Sequence, residues 1–182
     1  MIDKTSIEQR VSTMISLLKE KCIKTSVAIN DFRYFPADYK TGTEIPFFTE
    51  DNSVVFGRED FWGGTSDSHA WFYKKIKIPK PENGIRNELS IKTNVNEKEW
   101  DASNPQFIVY FDKYPVQGAD LNHTSVVLPD KKEIEVHIYA YTGTNLNNLS
   151  PIKFYADIIG IDETAEKLYY DLKVPYDVIC YI

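Results

Sequence analysis

Asp67 and His69 are the pair in this sequence whose types and spacing suit chemistry. They sit in the run Trp62-Gly63-Gly64-Thr65-Ser66-Asp67-Ser68-His69-Ala70-Trp71. Two residues apart at the entrance of a strand, a carboxylate and an imidazole share one face. Flanking indoles would then wall them, and aromatic walls with a few polar groups are how protein surfaces hold sugar rings. A second reading gives the same residues a purely structural task. Trp62 and Trp71 bury the end of a sheet, Asp67 caps the turn, and His69 bonds the backbone. Trp62, Asp67, His69 and Trp71 are therefore the candidate carbohydrate-binding residues, with both readings open.

Beyond that pair the chemistry is thin. The three histidines, His69, His123 and His137, are isolated from one another, and no His-x-His, Cys-x-x-Cys or His-Glu-x-x-His spacing occurs. A preformed zinc site is not expected. No glycine loop for phosphate is present, and carboxylate pairs among 27 acidic residues decide nothing. No catalytic residue is assigned. His123 and His137, beside a turn and on the polar face of a strand, read as solvated.

The chain has 182 residues and a net charge of −6, with its acidic residues scattered. One domain with short appendages fits that length. The basic footprint of a nucleic-acid binder is missing, Lys74-Lys75 being the longest basic cluster. No apolar run approaches the ~20 residues that span a bilayer. Two cysteines, Cys22 and Cys180, and no signal peptide point to a reducing, cytoplasmic setting. The sequons Asn122-His123-Thr124 and Asn148-Leu149-Ser150 then read as coincidental.

The elements that must carry the pair are mostly strands. Residues 4–22 read as a helix, with Ile7, Val11, Met14, Leu18 and Cys22 in a stripe. Residues 31–50 show no period, and their aromatics and prolines read as an arm laid across another surface. Seven strand candidates follow: 53–57, 71–78, 88–93, 106–111, 116–118, 124–128 and 133–141. In the last, Ile134, Val136, Ile138 and Ala140 oppose Glu133, Glu135, His137 and Tyr139. Turn signals between them predict a mostly β chain, an antiparallel two-sheet sandwich of jelly-roll type. From Ile158 the period reads as helical, with Ile161, Ala165, Leu168 and Leu172 in line and Pro175 expected to break or kink it. The apolar ending Asp177–Ile182 reads as cut within something larger. The expected division is 1–50 helix and arm, 51–150 sandwich, and 151–182 helical linker.

Several runs occur together in a familiar order. These are Trp62-Gly-Gly-Thr-Ser-Asp-Ser-His-Ala-Trp-Phe72, Ile76-Lys-Ile-Pro79, Pro115-Val-Gln-Gly118 with Asn122-His123, Phe154-Tyr-Ala-Asp-Ile158 and Leu168-Tyr-Tyr-Asp-Leu-Lys-Val174. From about residue 54 onward the chain resembles the N-terminal region of the long cytoplasmic and vacuolar α-mannosidases of glycoside hydrolase family 38, notably bacterial forms. The resemblance implies a galactose-binding-like jelly roll preceding a retaining catalytic domain. That domain uses an aspartate nucleophile and a zinc ion whose ligands begin with His-x-His-x-Asp. This chain has no such motif, so no catalytic or zinc residue carries over. The resemblance implies an inactive, cofactor-free piece of an active parent. The C-terminal helix and the aromatic arm read as surfaces awaiting a partner. They add the expectation that the piece docks on its own catalytic domain, with a homo-oligomer as a further partner. A stand-alone carbohydrate-binding module, taking a mannoside, is the alternative.

Overall fold

The chain was analysed as a computed structural model that describes residues 4–38, 44–65, 67–94, 105–120, 122–143 and 151–180. Helix α1 (Lys4–Cys22) leads into β1 (Ile23–Ile29) and β2 (Phe32–Ala37). After the arm come β3 (Val54–Phe56), β4 (Phe61–Gly63), β5 (His69–Lys77), β6 (Ile85–Thr93) and β7 (Gln106–Phe111). The chain continues through β8 (Tyr114–Ala119), β9 (Ser125–Val127), β10 (Glu133–Tyr141) and β11 (Pro151–Asp162) into α2 (Glu163–Cys180). Every described strand pair is antiparallel. One sheet has the order β3-β2-β5-β10-β7-β8, the other β1-β11-β6-β9 with β4 also on β11. The chain is thus mostly β, an antiparallel two-sheet sandwich with a helix at each end, as its alternating pattern predicts.

Alternation decides which side chains meet between the sheets. From β10 come Ile134, Val136, Ile138 and Ala140, and from β5 Ala70, Phe72 and Ile76. Across the gap Ile152, Phe154, Ala156 and Ile158 of β11 answer them. Phe72 and Phe154 stack with ring centroids 4.3 Å apart, joining the two sheets at their centre. Lys74, the one polar residue on the inward face of β5, sends its ammonium out to the Asp31 carbonyl at 3.1 Å, as long cationic stems do.

Four strands lie outside the seven expected. β2 occupies the front of the arm, where Pro36 masked the pattern. Pro36 is tolerated because β3 covers only Phe32–Tyr34 of β2, so no partner strand requires its missing N–H on that side. β11 replaces the front of the helical linker. Ile158-Ile159-Gly160-Ile161 is buried on both faces, so alternation disappears and the run imitates one side of a helix. Gly160 is required there, since an added Cβ would strike Thr25 Oγ1 on β1. β1 and β4 are short or largely exposed and carry little pattern.

α2 begins where Asp162 Oδ1 accepts from the amides of Thr164 at 3.0 Å and Ala165 at 2.9 Å, an N-cap. It runs on through Pro175 to Cys180. Of the break or kink expected at Pro175 the break does not occur: the helix continues five residues past it, without the bond that its missing N–H would make to the Asp171 carbonyl. α1 and α2 pair antiparallel, Tyr176 Oη donating to the Glu8 carbonyl at 3.4 Å, with Tyr169 buried between them and the sandwich edge. The sequence stripe of α1 is only half used: Val11 and Leu18 are partly covered, while Ile7 and Met14 are exposed. No described helix is long and apolar enough to cross a membrane.

Candidate functional site

The loop before β5 is anchored before it is functional. Asp67 has φ 56°, tolerated by a short side chain that bonds locally. Ser68 N donates to Thr142 Oγ1 at 2.9 Å, and Thr142 N returns a bond to the Ser68 carbonyl at 2.9 Å. These bonds fix the loop to the end of β10. His69 then joins Asp67 Oδ1 through Nε2 at 3.1 Å and Tyr139 Oη through Nδ1. The imidazole is buried and lies over Tyr139 and Tyr141, centroids 5.8 and 6.1 Å away.

Asp67 and His69 therefore do come together, as their spacing predicts. The relay ends in a covered phenol, whose pKa burial and the Asp67 charge push up. The bonds it makes hold the loop to the sheet. The two tryptophans do not wall this pair. Trp71 extends the same face, fully buried, against Tyr139 at 5.1 Å and Tyr110 at 5.5 Å. Trp62 lies on the far side of β5, between the sheets, edge-on to Phe72 at 5.8 Å. They stand on different sheets: β4, too short to be seen in sequence, pairs with β11 and turns Trp62 into the core, while Trp71 belongs to β5. Both indoles are buried, and among the described residues neither Nε1 has a hydrogen-bond partner.

The outer face of the six-stranded sheet holds the more unusual arrangement. Register places His69 opposite Tyr141, Trp71 opposite Tyr139, and Tyr73 opposite His137. Beside this ladder lies Tyr110 of β7. A face that reads polar in sequence is an aromatic layer, and the arm covers part of it. Phe48 stacks on Tyr73 at 5.1 Å and lies 6.0 Å from His137. Ile45, Pro46, Phe47 and Phe48 meet Tyr73, Lys113, Glu135 and His137 around a cleft of about 200 Å³.

His137 was expected to be solvated, and this is corrected: only 3% of it is exposed. Tyr73 of β5 packs beside it at 4.8 Å, and Phe48 of the arm lies over the pair, 6.0 Å from the imidazole. Among the described residues neither ring nitrogen has a hydrogen-bond partner. Glu135 Oε2 is 3.7 Å from Nε2, beyond hydrogen-bond reach. Burial lowers the pKa of the imidazole, against the pull of Glu135 and Asp112 and with the push of Lys113. His123 is exposed beside Asp120, as expected.

A lowered folded-state pKa means that the unfolded chain takes the proton first. Stability contributed by neutral His137 is complete above its ordinary value of 6.5 and is lost as pH falls through the folded value. The melting temperature should therefore drop between about pH 7 and pH 5, and His137→Phe should flatten that drop. A wild-type drop of equal size in the variant would show that other groups cause it.

Among the described residues no group of three or more His, Cys, Asp or Glu side chains could hold a metal ion. A zinc site of the kind the resemblance places in a parent enzyme does not fit this donor set. Asn148-Leu149-Ser150 and Ser66 lie outside the described residues.

No family model matches the sequence, and no curated protein matches it. Solved structures are similar in fold at low identity. A Bacteroides uniformis β-glucuronidase superposes with a TM-score of 0.44 at 10% identity, over 72% of this chain and 18% of that one. Bacteroides uniformis β-glucuronidase 2 covalently bound to cyclophellitol-6-carboxylate aziridine gives the same values. A β-glycosidase from Bacteroides vulgatus gives 0.42 at 8% identity, over 73% of this chain and 20% of that one. The chain spans about a fifth of the length of these structures.

Proposed function

We propose that the chain is a non-catalytic β-sandwich module of a retaining α-mannosidase that hydrolyses terminal α-D-mannosides. Its task in that reading is architectural: it docks on the catalytic domain of its own polypeptide and contributes to a homo-oligomer, in the cytoplasm. Zinc belongs to the catalytic domain. The observation that carries the docking role is the α1–α2 pair. Ile7, Met14, Leu17, Leu168, Tyr170, Val174, Val178 and Ile179 are all exposed on it. Apolar groups of that number on two adjacent helices mark a surface that a partner covers. The mannosidase assignment rests on the sequence runs from Trp62 to Val174 quoted above. The catalytic silence rests on the Asp67–His69–Tyr139 relay, which ends in a buried phenol.

An antibody raised against the chain should deplete aryl α-mannosidase activity from an extract of cells that make the protein. Activity left untouched while the antigen is fully removed would overturn the reading.

A further inference from the structure

We propose that the cleft between the arm and the outer face of the six-stranded sheet binds the ring of a neutral, polyhydroxylated ligand, a pyranose sugar, admitted when Phe48 leaves Tyr73. This site shares no residue with the Asp67–His69 loop and does not depend on the mannosidase reading.

Three observations converge on it. The first is His137, buried and lining the cleft, with both ring nitrogens unpartnered among the described residues. A neutral imidazole carries one donor and one acceptor, and leaving them unmet costs free energy. A sugar hydroxyl supplies both complements at once. The second is the pairing of rings with charge. Phe47 is 82% exposed at the rim, and Tyr73 lies under Phe48 at stacking distance, so the C–H face of a sugar ring has aromatic surfaces to lie on. The third is electrostatic balance. Lys113 and Glu135 bring one positive and one negative charge to the same cleft. An anionic ligand would face the Glu135 carboxylate and a cationic one the Lys113 ammonium. A neutral ligand with several hydroxyls lets Lys113 donate and Glu135 accept without conflict. The volume, about 200 Å³, suits a single ring rather than a chain of them.

The ring nitrogens of His137 are sealed with the arm in place, so entry requires the Phe48–Tyr73 stack to open. Opening it gives up an aromatic contact, a cost that ligand contacts to Tyr73 and His137 offset. Tyr73, freed of Phe48, then sits beside His137 at 4.8 Å and forms the floor.

Titration of the isotopically labelled full chain with methyl α-D-mannopyranoside, methyl α-D-glucopyranoside and N-acetylglucosamine tests this by chemical shift. At least one sugar should move the Phe48, Tyr73 and His137 resonances together, saturably, at millimolar concentration. His137→Phe, which keeps the ring and removes both nitrogens, should weaken binding about tenfold, the loss of about one hydrogen bond. Lys113→Met, which changes an exposed side chain on the β7–β8 turn, should weaken it several-fold. The proposal is overturned if no sugar gives saturable shifts, if the shifts cluster on the Asp67 loop instead, or if Lys113→Met binds like the wild type. It is equally overturned if adenosine saturates these resonances while the sugars do not, since the cleft would then take a planar base.

Discussion

Phe72→Ala is expected to destabilise the fold by about 3–5 kcal/mol, the range for removing a large buried aromatic. Phe72 is fully buried and touches rings from both sheets. Phe154 stacks on it at 4.3 Å, Phe56 meets it edge-on at 5.1 Å, and Trp62 does so at 5.8 Å. Phe32 and Tyr34 of β2 lie 6.4 and 5.4 Å away. Rings this rigid, held by strands on several sides, cannot close a phenyl-sized void, so the cavity penalty stays near its full size. Urea denaturation at neutral pH reads the effect. Phe72→Leu should recover most of it, because volume and apolarity are then largely restored. A loss below 1 kcal/mol for the alanine variant would mean that the sheets do not meet at Phe72.

Arg86→Met is expected to cost about 2–3 kcal/mol and to loosen α2. Arg86 Nε and Nη2 both reach Glu88 Oε1, at 2.9 and 2.7 Å, while Nη2 also reaches Glu166 Oε2 at 2.7 Å. Glu88 is buried, its other oxygen accepting from Ser125 Oγ at 2.5 Å. Without the guanidinium that carboxylate keeps one hydrogen bond and no cation. Breaking a buried pair by removing one partner costs about 3–5 kcal/mol, reduced here because Arg86 still meets water. The double variant Arg86→Met with Glu88→Gln should recover part of the loss, since no buried charge is then stranded. Hydrogen exchange should show the first turn of α2 opening in the single variant, because Glu166 and Glu163 lose the same anchor. Unchanged protection of that turn would mean that the N-cap by Asp162 alone holds it.

Where one face of a strand is apolar and the other polar, the sequence suffices to place it. Glu133–Tyr141 shows this: its inward set is the one observed. Legibility fails wherever both faces are covered, because burial erases the alternation on which the reading depends. Ile158–Ile161 in β11 is one such place. The outer face of β5 and β10 is another, since Tyr73 and His137 read as solvent-facing yet meet Phe48, a residue more than twenty positions away in sequence. His137 was therefore missed as a site residue. The signal available was the aromatic content of the arm together with the aromatic content of that polar face, two halves of one contact. Asp67 and His69 were found because they are local, i and i+2. The Trp62–Trp71 partnership failed because nine residues of separation say nothing about the sheet standing between them.

In the proposed reading these side chains serve binding and docking rather than bond cleavage. The purified 182-residue chain, incubated with an aryl α-D-mannoside with and without added zinc, tests that most directly. Release of the aryl group should match buffer in both conditions. A zinc-dependent rate that co-purifies with the chain and disappears on His69→Ala would contradict it.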